Sequence, residues 1–169
     1  MKTRFTKTLF IGGIKSGKSR LAEAHILNAA DGLCTYLATS EVIDDEMQLR
    51  IERHQTQRSE RFLTREEPLD LAEALESVTM PILIECISMW INNMLHYGFD
   101  EEEINKQIDT LLQMDREITF IINDVSSGII SDNALVRRFV DINGMVAQRI
   151  ASECDAVYHV VAGIGQRIK

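Results

Sequence analysis

Thr8-Leu9-Phe10-Ile11-Gly12-Gly13-Ile14-Lys15-Ser16-Gly17-Lys18-Ser19 is the stretch whose reading decides the fold. An apolar run of buried-strand length leads into a full G-x-x-x-x-G-K-S pattern, and a helix-like stretch from Arg20 to Ala29 follows. The glycines let backbone N–H groups turn inward around phosphates. Lys18 can reach the β- and γ-phosphates, and the Ser19 hydroxyl can ligate magnesium at the helix N-terminus. The strand, loop and helix context that this chemistry requires is present, so the segment predicts binding of a nucleoside triphosphate.

Outward from this segment, short apolar runs alternate with longer stretches of helical period, the signature of an α/β fold with a mainly parallel sheet flanked by helices. Strands are expected at Thr8–Ile11, Cys34–Ala38, Ile82–Glu85, Ile118–Asn123 and Ala156–Val161. Helices are expected over 18–29, 45–58, 69–77, 88–97, 101–115 and 133–153. Asp100 or its neighbour is placed to cap the fifth helix, and the acidic run Asp100 to Glu103 suits a helix start better than a metal site. No repeat, low-complexity tract or linker divides the chain, and residues 1–169 read as one nucleotide-binding domain.

A net charge of −8 argues against broad capture of nucleic acid or anionic membrane. No apolar run approaches the ~20 residues that span a bilayer, and the N-terminus carries no secretory apolar segment, so a cytoplasmic protein acting on small molecules is expected. Cys34, Cys86 and Cys154 are widely spaced and suggest neither a disulfide framework nor a zinc site. Cys34 and Cys86 read as packing residues.

Three further groups bear on chemistry. Glu85 closes the run Ile82-Leu83-Ile84, where a phosphate-loop enzyme places the carboxylate that holds magnesium or its water shell. The second strand ends Ala38-Thr39-Ser40, and its two hydroxyls suit either a bound nucleotide or the cap of the next helix. Between residues 44 and 61, acids open a helical stretch and cations gather at its end, with His54 among Arg50, Arg53 and Arg58. That setting keeps an imidazole neutral and suits a nucleophile for phosphorus, while an ordinary amphipathic helix with Glu46 paired to Arg50 accounts for the same pattern. His25, His96 and His159 have no comparable surroundings and read as packing or surface residues.

Several of these stretches, taken in order, resemble one family: the bifunctional adenosylcobinamide kinase / adenosylcobinamide-phosphate guanylyltransferases of cobalamin biosynthesis. The matching segments are Gly12-Gly13 through Ser19-Arg20-x-Ala22-Glu23, Tyr36 to Ser40, Asp44 to Met47, Arg50-Ile51-x-x-His54, Thr64-x-Glu66, Glu85-Cys86 and Arg137-Arg138-Phe139-x-Asp141. The resemblance implies a RecA-like phosphate-loop domain that transfers a γ-phosphate from GTP or ATP, with Mg2+, to adenosylcobinamide. It then implies passage of GMP from GTP through a guanylylated histidine, at the position of His54, to the corrinoid phosphate. It also implies Lys18 as a catalytic residue, and nucleotide contacts from Gly12, Gly13, Ile14, Lys15, Ser16, Gly17, Lys18, Ser19, Ala38, Thr39, Ser40, Gln55, Thr56, Gln57, Arg58, Glu66 and Glu85. Ser19 and Glu85 would serve the metal, and the assembly would be a trimer. This chain departs from the family pattern after the fourth expected strand, reading Asn123-Asp124-Val125-Ser126-Ser127-Gly128-Ile129-Ile130-Ser131, and again at Ala147-Gln148.

Overall fold

The computed structural model describes residues 5–41 and 60–169. The helix expected over 45–58, with His54 and Gln55 to Arg58, lies outside the described residues.

The elements run β1 (Lys7–Gly12), α1 (Lys18–Ala29), β2 (Cys34–Ala38), β3 (Phe62–Glu66), α2 (Leu71–Glu76), β4 (Ile82–Glu85), α3 (Ile87–His96), α4 (Glu101–Gln113), β5 (Ile118–Asn123), α5 (Ala134–Glu153), β6 (Ala156–Val161) and β7 (Ile164–Arg167). They build a seven-stranded sheet in the order β3-β2-β4-β5-β1-β6-β7. All neighbouring strands pair in parallel except β6 and β7. Strand β5 thus lies between the phosphate-loop strand β1 and the acid-ended strand β4.

All five expected strands form, and their apolar runs are buried on both faces as parallel strands require. On one face Leu71, Trp90, Met94, Ile104, Ile108, Ile142, Val146 and Ile150 of α2–α5 cover Leu9, Leu37, Ile84 and Phe120. On the other, Ala22 and Ile26 of α1 pack with Phe10, Tyr36, Phe62, Leu83, Ile121 and Val160. Period-two alternation therefore assigns each strand residue to the α1 side or the opposite side.

Two strands were not expected. β3 is an edge strand with only Phe62 buried, and its Leu-Thr-Arg-Glu remainder is exposed, so it carries none of the apolar continuity of a central strand. β7 is fully exposed and contains Gly165. It exists because Val161 pairs with Ile164 across a two-residue turn, Ala162 and Gly163, whose φ values of 50° and 80° have the sign such hairpins need.

Helix starts follow sequence chemistry. Asp100 and Glu103 form a reciprocal capping box on α4, Asp70 caps α2 and Asn133 caps α5. Neither α1 nor α3 has a side-chain cap or an acid in its first turn, and α1 differs from all the others in that Gly17 occupies its N-cap in the left-handed conformation. The leading N–H groups of α1 are left to a ligand.

Candidate functional site

The carboxyl ends of β1, β2, β3, β4 and β5 share one edge, which places Gly12, Ala38, Glu66, Glu85 and Asn123 along it. Four inter-strand spacings, roughly 19 Å, separate β1 from β3. Glu66 thus lies too far from the phosphate loop to touch the same phosphate, and with Ala38 and Ser40 it belongs to the far end of the edge.

Residues 12–19 form the loop that the sequence predicts. Gly12 is packed so closely that a Cβ there would stand 2.4 Å from the Val160 carbonyl oxygen. Gly17 has φ 93°, and its Cβ would stand 3.0 Å from the Gly163 Cα. The β6–β7 turn thereby buttresses the loop, with the Gly163 N–H donating to the Ser16 carbonyl at 2.7 Å. Ser16 Oγ is buried beneath the loop with no hydrogen-bond partner among the described residues. Ile14 and Lys15 are exposed at the loop tip.

Lys18 is buried and its Nζ donates to the Gly13 carbonyl at 3.1 Å. Burial pulls its ammonium below the ordinary lysine value, an effect that Cys86 and Glu85 partly offset. Ser19 Oγ donates to Glu85 Oε1 at 2.9 Å, which joins the start of α1 to the end of β4. The Tyr36 hydroxyl donates to the other carboxylate oxygen. Burial pushes the Glu85 carboxyl above its ordinary range, opposed by the Ser19 hydrogen bond and the Lys18 charge. A buried carboxyl group beside a serine hydroxyl is a hard-oxygen donor set, and its residues fit a small divalent cation such as magnesium.

Thr39 is fully buried, and its hydroxyl both donates to the Cys86 carbonyl and accepts from the Cys86 N–H, each at 2.9 Å. Its side chain is therefore spent on the turn after Glu85. The sequence reading missed two features. Tyr36 lies on the α1 side of β2, two residues from Ala38, where alternation could have placed it toward Glu85. Asn123 is the other. Its N–H donates to Ser88 Oγ at 2.9 Å, its carbonyl accepts from Asn143 Nδ2 at 3.0 Å, and Ser88 donates to Asn143 Oδ1 at 2.6 Å.

Comparison with known proteins shows the family. Residues 8–168 match the model of the family described as cobinamide kinase / cobinamide phosphate guanyltransferase. The bifunctional adenosylcobalamin biosynthesis protein CobU of Escherichia coli strain K12 is 37% identical over 180 aligned positions, spanning 95% of this chain and 98% of that protein. CobP, the bifunctional adenosylcobalamin biosynthesis protein of Pseudomonas aeruginosa, is 35% identical over 171 positions, spanning 96% and 97%. Among solved structures, a KaiC-like protein of Pyrococcus horikoshii aligns over 91% of this chain and 70% of its own, at 14% identity and a TM-score of 0.49. The phosphate loop, the acid that meets its serine, and near end-to-end similarity to such relatives agree, and the chain belongs to the cobinamide kinase / cobinamide phosphate guanyltransferase family.

Proposed function

We propose that this protein, acting as one nucleotide-binding domain, phosphorylates adenosylcobinamide with GTP or ATP and then transfers GMP from GTP to the resulting phosphate. The observation that carries the reading is the Ser19–Glu85 contact at the uncapped start of α1, beside the buried Lys18. It supplies a cationic, N–H-rich cradle with an acid at its side, which is what phosphoryl transfer asks of a protein.

In the first reaction the corrinoid hydroxyl oxygen bonds to the γ-phosphorus while the bond to the β,γ-bridging oxygen breaks. That electron pair leaves on the nucleoside diphosphate, and the hydroxyl proton passes to solvent. Lys18 and the loop N–H groups offset the charge on the transferring group and on the departing oxygen. Ser19 and Glu85 would hold magnesium, which when bound neutralises phosphate charge. In the second reaction a nitrogen of His54 bonds to the α-phosphorus of GTP and pyrophosphate departs. The corrinoid phosphate oxygen then takes the guanylyl group, and the electron pair of the broken P–N bond returns to the imidazole.

Gly12, Gly13, Ile14, Lys15, Ser16 and Gly17 contact phosphate in this reading, Ala38, Ser40, Gln55, Thr56, Gln57, Arg58, Glu66 and Glu85 complete the nucleotide site, and Thr39 serves it from behind by holding the turn after Glu85. The protein works in the cytoplasm, where these nucleotides are, as a trimer that light scattering would reveal. No described helix is long and apolar enough to cross a membrane.

The test is incubation with magnesium and GTP labelled at the α-phosphate, without corrinoid. An acid-labile, base-stable label is expected on the wild type and not on His54→Ala. A label of equal strength on both proteins would overturn the role of His54.

A further inference from the structure

We propose that the side-chain amide of Asn123 contacts the phosphoryl group transferred in the kinase step, an assignment that rests on the reading above. Three observations converge on it. First, position: Asn123 ends β5, in register with Gly12 of the phosphate-loop strand, and β5 is the strand between that loop and Glu85. Second, direction: Ile118, Phe120 and Ile122 face the core beneath α2–α5, whereas Ile121 faces the α1 side. Alternation continues Asn123 on the α1 side, the side to which Leu83 assigns Glu85 and on which Lys18 and Ser19 begin the helix.

The third observation is the division of labour within the residue. Its main chain is clamped from two helices, by Ser88 of α3 and Asn143 of α5, both buried and bonded to each other. Its side-chain amide makes no hydrogen bond to the described residues, although it is only half exposed. A rigidly held, uncommitted amide beside a phosphate cradle is a preorganised donor, and Nδ2 can bond to an oxygen of the group as its charge redistributes in transfer. Ser88 and Asn143 then act as positioning residues through it.

The experiment compares wild type, Asn123→Ala and the isosteric Asn123→Asp as full-length proteins. Corrinoid phosphorylation is followed at saturating Mg-GTP, and affinity for GTP and for GDP is measured by calorimetry. For Asn123→Ala, kcat should fall about tenfold to 100-fold with the corrinoid KM changed by less than about threefold. The preference for GTP over GDP should shrink in Asn123→Ala and shrink further in Asn123→Asp, whose carboxylate would face phosphate. Retention of kcat within about twofold, or an unchanged GTP-to-GDP preference in a folded variant, overturns the assignment. If Asn123→Ala does not fold, Asn123→Asp decides by the same affinity ratio. A wild type that binds GTP yet phosphorylates no corrinoid overturns the functional reading alone, since the ratio still tests Asn123.

Discussion

Burial sets the behaviour of single residues as strongly as bonding does, and the three cysteines illustrate it. Burial raises the thiols of Cys34 and Cys86, and it pushes that of Cys154 up to about 12 from an ordinary 9.0. Cys154 lies at the end of α5 with almost no exposure, beneath the apolar side of the sheet. A thiol whose folded value is raised favours folding below the unfolded value, and that contribution is lost as pH climbs through the folded one. Stability should therefore drop between pH 9 and about 12, by roughly 4 kcal/mol if Cys154 acted alone. Urea titrations at stepped pH check this: Cys154→Ala should start lower because of its cavity but show a flatter alkaline decline. An identical decline in both proteins would assign the loss to other groups. The same burial predicts that an aromatic disulfide reagent at pH 8 labels the native protein far more slowly than the urea-unfolded chain.

Among the elements, the β6–β7 hairpin is where a local rule is broken for position. Ala162 sits at φ 50°, where its Cβ crowds the backbone, because the turn needs positive φ at both central residues. Ala162→Gly should relieve about 1 kcal/mol, partly offset by greater freedom of the unfolded chain, and raise the melting temperature by ~1–4 °C. Scanning calorimetry checks it, and a lowered midpoint would mean that the methyl packs usefully. The hairpin also marks where legibility ended. Thr8–Ile11 and Ile118–Asn123 announce themselves because a strand buried on both faces must be apolar throughout. β3 and β7 owe their existence to partners instead: Phe62 pairs with Cys34, and Gln166 with His159. Edge strands need only one neighbour and face water, so their residues are free to be polar. Likewise Lys18, Ser19 and Glu85 could be read from a motif and a strand end. For Tyr36 and Asn123 alternation gives the face but not the partner, because their importance arises from which strands become neighbours, and strand order is not written in any short window of sequence.

At the scale of the molecule, an acidic protein of net charge −8 must hold a polyanion. Overall electrostatics oppose this, so the attraction has to be local: α1 presents Lys18, Arg20 and an uncapped N-terminus beside the exposed Lys15. The loop is also a joint, because β1 and α1 supply it, β4 supplies Glu85, and the β6–β7 turn supports it through Gly163. Ligand held there ties the centre of the sheet to one edge hairpin and stabilises the whole fold by mass action. At 100 times its Kd, nucleotide adds about 2.7 kcal/mol, which for a chain of this length is a rise of ~5–11 °C in melting temperature. Gly17→Ala should forfeit that rise. Its φ of 93° disfavours any side chain, and a Cβ would press on the Gly163 Cα, so the loop must open away from its buttress. Thermal scans with and without Mg-GTP read the difference within each protein, which removes the lower starting stability of the variant from the comparison. A full rise in Gly17→Ala would mean that the phosphates are held somewhere other than residues 12–19, whereas its loss with wild-type secondary structure retained would tie nucleotide binding to the contact between this loop and the hairpin.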